Sequence, residues 1–125
     1  MDMHFDGVIF QTHAAELRRR LDHPHPPFAV LDLRDEADWE AGHIPGARAV
    51  SVAELERDLP EGTTPATEFF LVGSGPTDPA PRAASAALQR LGAHRRVEFP
   101  GGMHEWRAYG LPVETNSSRG TNRRT

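Results

Sequence analysis

Two short, nearly continuous apolar runs constrain this chain more than anything else in it. Residues 28–33 read FAVLDL and residues 69–72 read FFLV. A strand with one wet face alternates apolar and polar residues, so runs without alternation indicate strands covered on both faces. Shorter β-like runs lie at Val8–Phe10, Ala47–Val50 and Arg96–Phe99. Helical patterns fall between them. Ala14, Ala15, Leu17 and Leu21 recur at helical spacing, with Arg18, Arg19 and Arg20 on the wet side and Thr12 placed to cap. Asp35 offers a cap for a short helix ending at Gly42. Ser51 followed by Glu54 forms a capping box ahead of Leu55 and Leu59. Asp78 with Pro79 opens a helix carrying Ala83, Ala84, Ala87, Leu88 and Leu91, stopped by Gly92. Gly101 and Gly102 turn the chain into a last short helix with Trp106, closed by Gly110 and Pro112.

Strands that alternate with helices predict an α/β fold: a five-stranded, mainly parallel sheet flanked by helices on both faces. Ligands of such sheets sit outside the carboxyl ends of the strands. That draws attention to the loops after Leu33 and Val72.

With 125 residues the chain is long enough for one compact domain. We expect that domain over residues 1–114. Residues 115–125, TNSSRGTNRRT, lack apolar side chains and read as a disordered polar and basic tail. The formal net charge of −4 argues against a nucleic-acid or anionic-membrane surface over the whole domain. No segment approaches the roughly 20 apolar residues of a membrane span. The N-terminus lacks the charged and apolar regions of a signal peptide, so the expected location is the cytoplasm.

The chain has no cysteine, which removes disulfides, thiolate nucleophiles and cysteine metal sites. All 14 basic residues are arginine, so lysine Schiff-base chemistry is excluded too. The seven histidines are scattered and form no ligand face, so neither a metal nor another cofactor is expected. Trp39 and Trp106 read as packing residues.

Three segments together resemble the rhodanese-like family. VLDLRDEADWEAGHIPGA at 30–47 is similar to its first signature, with Asp32, Arg34, His43 and Gly46. The loop and helix at 73–92 stand where that family carries its active-site loop. FPGGMHEWRAYGLPVE at 99–114 is similar to its closing signature, with Gly101, Gly102 and Trp106. For active members the resemblance implies a cysteine at the end of the fourth strand. Its thiolate takes sulfur from a donor such as thiosulfate and holds it as a persulfide. Loop amides and the next helix's N-terminus stabilise the anion.

This chain departs from the pattern in that loop. The cysteine position falls near Gly73 to Gly75, and the Arg-Ser pair that starts the family's helix is missing. Ser74 is a weak substitute, because a hydroxyl needs an adjacent base and cannot hold a persulfide. Gly73 and Gly75 permit an anion nest. Pro76, Pro79 and Pro81 remove amide donors, and Asp78 can present its own carboxylate to the helix N-terminus. Arg82 is the nearby cation and Thr77 a further polar candidate. Asp32 and Arg34 read as scaffold, an acid fixing a loop and a base paired with a carboxylate. His43 reads as a turn residue bonding the backbone.

The expected function is therefore a non-catalytic rhodanese-like domain, acting as a binding or regulatory module for an unidentified protein partner, with a small anion as a possible ligand. The alternative is an enzyme or anion sensor of altered chemistry using loop 73–82. The sequence leaves open the partner, the oligomeric state, the pathway and a thiol supplied in trans.

Overall fold

The computed structural model describes residues 10–115. The expected tail lies outside them apart from Thr115, as do Val8 and Ile9 of the first expected strand. The elements, in chain order, are β1 (Phe10–Gln11), α1 (Ala14–Leu21), β2 (Phe28–Asp32), α2 (Glu36–Ala41), β3 (Arg48–Ala49), α3 (Val52–Leu55), β4 (Glu68–Val72), α4 (Ala80–Arg90), β5 (Arg96–Phe99) and α5 (Gly102–Ala108). The strands form one sheet in the order β1-β5-β4-β2-β3. All four pairings are parallel.

The apolar runs occupy the two inner strands, β2 and β4. Successive side chains of a strand point to opposite faces, and both faces here are covered. Val30, Phe70 and Val72 pack with Ala14 and Leu17 of α1 and with Met103 and Trp106 of α5. Ala29, Leu31, Phe69 and Leu71 pack on the other face with Leu55 of α3 and Ala84, Ala87 and Leu88 of α4. Polar alternation on β2 or β4 would therefore bury unpaired groups, and the sequence avoids it.

Local capping signals had mixed fates. The Ser51–Glu54 capping box forms in both directions. Asp35 is the N-cap of α2 but makes no side-chain cap bond. Thr12 does not cap α1; the N-cap is His13, also without a side-chain bond. The Thr12 amide instead donates to the Glu98 carbonyl at 2.9 Å, extending the contact between β1 and β5. The orphan amide of Ala14 is satisfied from across the fold by the Glu105 carboxylate at 2.8 Å. Long-range packing supplied the acceptor that the local sequence was expected to provide. The start of α4 is one residue later than expected, with Pro79 as N-cap and Pro81 in the first turn.

Candidate functional site

The C-terminal ends of β2 and β4 lie side by side, with Asp32 in register with Val72. Beyond them stand the two regions that carry the sequence signatures.

The loop after β4 begins at the buried Gly73. Its carbonyls are held by the start of α5: the Met103 amide donates to Gly73 at 3.0 Å and the His104 amide to Ser74 at 2.9 Å. This approach depends on Gly102, whose φ of +56° lies in the left-handed region. A Cβ there would stand 2.5 Å from the Gly73 carbonyl oxygen and 2.8 Å from the Gly75 nitrogen. The double glycine thus lets one backbone dock directly on another.

Inside the loop the Asp78 carboxylate is the central group. One oxygen accepts from the Ser74 amide at 2.8 Å and from the Ser74 hydroxyl at 3.1 Å. The other accepts from the Ala80 amide at 2.9 Å. Partial burial pushes the Asp78 carboxyl up, but the bonds from Ala80 and Ser74 outweigh it and hold the carboxyl below its usual range. The carboxylate also fills the space a side chain at position 73 would need. A Cβ on Gly73 would lie 2.5 Å from an Asp78 oxygen and 3.1 Å from Pro81. Gly73, Ser74, Gly75 and Asp78 are therefore brought together, with Gly101 and Gly102 behind them. Thr77 sits exposed on the outer curve.

Arg82 is directed elsewhere. Its Nε donates at 2.8 Å to Glu98, a buried carboxylate on β5. The hydrogen bond and charge of Glu98 raise the guanidinium's pKa above its ordinary value. His104 stands next to Gly75, where a Cβ would meet its own Cβ at 3.4 Å. The Ser74 hydroxyl bonds to Asp78.

The second region is a closed scaffold. Arg34 donates to both Asp32 oxygens, Nε at 3.0 Å and an Nη at 2.8 Å, and bonds the Gly42 carbonyl at 2.7 Å. Asp32 is fully buried and Arg34 nearly so. Arg107 reaches the same Gly42 carbonyl at 3.3 Å. Two cations thus meet the C-terminal end of α2, where helix carbonyls are unsatisfied. His43 is fully buried, stacked on Trp39 at 4.1 Å, with Nδ1 at 2.7 Å from the Trp39 carbonyl. Its backbone pairs with Glu114 in both directions at 2.8 Å. Gly46, with φ of +82°, sends its amide to the Glu114 carboxylate at 3.1 Å. Trp106 lies in the core and donates its Nε1–H to the Pro112 carbonyl at 2.8 Å.

Sequence reasoning missed Glu98 and Glu105. Glu98 interrupts an apolar strand at a position facing α4, which is the signal that it needs a partner there. Nothing local marks Glu105 as the cap of a distant helix. Among the described residues no group of His, Asp or Glu is arranged to hold a metal ion, and no helix is long and apolar enough to cross a membrane.

Comparison with known proteins agrees with this architecture. The rhodanese-like domain model matches residues 13–109. A curated relative, the HTH-type transcriptional regulator Rv0324 of Mycobacterium tuberculosis, is 33% identical over 109 residues. The match covers 87% of this chain but only 46% of that protein, so the chain spans about half the relative's length. Among solved structures, the Alr3790 protein from Anabaena is 30% identical with a TM-score of 0.74, over 90% of this chain and 99% of that one. The BH2092 protein from Bacillus halodurans reaches a TM-score of 0.78 at 24% identity, over 86% and 78%, and so shares the fold. The signatures, the sheet and these matches converge: the chain belongs to the rhodanese-like domain family.

Proposed function

We propose that this chain is a rhodanese-like module without sulfur-transfer chemistry of its own, serving as a binding or regulatory part beside a protein partner. The observation that carries this reading is the Asp78 carboxylate standing where a residue-73 side chain would project. A chain without cysteine lacks the thiolate that persulfide formation requires. Here the vacated space is also filled by a negative charge that takes up two amides and a hydroxyl. A persulfide brought in by a partner's cysteine, or a free thiosulfate, would meet that charge and be repelled.

The same contacts weigh against the altered enzyme and the anion sensor. The Ser74 hydroxyl already donates to Asp78, and a carboxyl held below its usual range is a poor general base at neutral pH. Arg82, the candidate clamp, is engaged with Glu98. The name of the mycobacterial relative, a transcriptional regulator of helix-turn-helix type, supports a regulatory setting in which such a module accompanies a DNA-binding partner.

The test is thiocyanate formation from thiosulfate and cyanide, with an active rhodanese as positive control. We expect no product above the buffer rate, and Ser74→Ala to behave as the parent does. Turnover at the rate of the control enzyme would overturn the proposal. A thermal-shift series with thiosulfate, sulfite, phosphate and sulfate should leave the melting temperature unchanged. A saturable rise with any one anion would favour the sensor.

A further inference from the structure

A spacious cleft stands away from the loop. It lies at the other end of β4, near Glu68, between α1 and the start of β5, and encloses about 870 Å³. That volume is within the range of ligand sites for small organic molecules, roughly 300–1,000 Å³. Its floor is apolar, formed by Phe10, Phe70 and Val97. Phe10 keeps 49% of its surface exposed there, one of only three large apolar side chains so exposed among the described residues.

The walls are cationic in a chain whose formal net charge is −4. Arginines 19, 20, 95 and 96 line the cleft against two carboxylates, Glu16 and Glu68. Arg20 is spent on its surroundings: it bonds the Pro26 carbonyl, meets Glu68 at 3.4 Å and lies over the Phe28 ring. Arg19 has a single exposed contact with Glu16, at 3.4 Å, an ion pair of small worth in water. Among the described residues the Arg95 side chain makes no hydrogen bond or ion pair. An unpaired guanidinium beside an apolar floor has the two features that recognise a molecule with an acidic head and an apolar body. The apolar floor gains from covering, and the fork of donors matches a carboxylate.

We propose that this cleft binds an amphipathic organic anion, with Arg95 and Arg19 on its head and Phe10, Phe70 and Val97 against its body. The site is separated from loop 73–78 by the length of β4 and does not depend on the reading of that loop.

Decanoate, kept below its micelle concentration, is the probe, titrated into the full chain labelled with ¹⁵N. Saturable shifts are expected at the amides of Phe10–Thr12 and Arg95–Val97, with Gly73–Asp78 unmoved. Acetate, the head without the body, and decyltrimethylammonium, the body with a cation, should not reproduce them. Arg95→Glu should weaken decanoate at least tenfold without changing the melting temperature, because that side chain supports nothing in the fold. Phe10→Ala, at a half-exposed position, should weaken it as well. Absence of saturable shifts, equal binding of the cationic amphiphile, or an unchanged affinity in Arg95→Glu would each overturn the proposal.

Discussion

Asp32 and Asp78 both sit at the C-terminal edge of the sheet, one ending β2 and the other just past β4, and they are satisfied in opposite ways. Asp32 is fully buried and held by the Arg34 guanidinium through two bonds. Asp78 is half-buried and meets only neutral donors, two amides and a hydroxyl. A carboxylate withdrawn from water needs a counter-charge, because desolvation costs several kcal/mol per ion. One at a loop can be satisfied by backbone dipoles. The first arrangement locks the α2 end of the fold. In our proposal the second stands where the family's active members stabilise a bound anion. The scaffold half of the signature is intact, and in the loop an internal carboxylate takes up the amides of Ser74 and Ala80.

The sharpest way to break this contrast is to remove the buried acid. Asp32→Ala leaves Arg34 charged, nearly inaccessible and deprived of its partner, and should destabilise the fold by about 3–5 kcal/mol. Urea unfolding measures it, and a loss as small as that at an exposed site would mean the pair is not the lock described here. Next in size is Gly102→Ala, which forces a side chain into the left-handed region and against the Gly73 carbonyl. Backbone strain of about 1–3 kcal/mol is expected. Amide exchange at Met103 and His104 should accelerate, since their bonds to the loop are the ones displaced.

Positions 73 and 78 should be coupled. Gly73→Cys alone places its Cβ against the Asp78 carboxylate, whereas Gly73→Cys with Asp78→Ala has room. A double-mutant cycle should give a coupling of about 0.5–3 kcal/mol in favour of the pair. Alkylation by iodoacetamide should be faster in the double variant, where no like charge opposes the thiolate. Strict additivity would show that the carboxylate does not occupy that space.

The smallest effect is expected for Asp78→Ala, about 0.5–2 kcal/mol as for other lost helix-capping acceptors. Its pH dependence is diagnostic. Because the folded carboxyl is held below its ordinary value, its contribution is complete above the unfolded pKa of about 3.9. It is lost as the pH falls through the lower folded value. The stability gap between parent and Asp78→Ala should therefore be constant near neutrality and close only in acid. A gap that widens in acid contradicts the assignment.

Much of the fold was legible because its signals are local or periodic. The runs at 28–33 and 69–72 identify the two strands buried on both faces, and the Ser51–Glu54 box marks the start of α3. Arg34 was expected to pair with a carboxylate, and Asp32, two residues before it, supplies one. The Glu105 acceptor for Ala14 lies 91 residues away in sequence, and the Arg82–Glu98 bond joins a helix to the next strand. No local pattern encodes such contacts, and Thr12, which has the right chemistry for a cap, yields to one of them.

The sequence by itself determined the class of fold, the order of its strands and helices along the chain, and the absence of a thiolate. These follow from periodicity, turn chemistry and composition, which are properties of the chain read locally. Only the tertiary structure decided what stands in the place of a residue-73 side chain, where Arg82 goes, and that a roomy cleft lies away from loop 73–78. Those outcomes depend on which surfaces packing brings together and which charges it leaves unpaired, and that is settled by the whole fold at once.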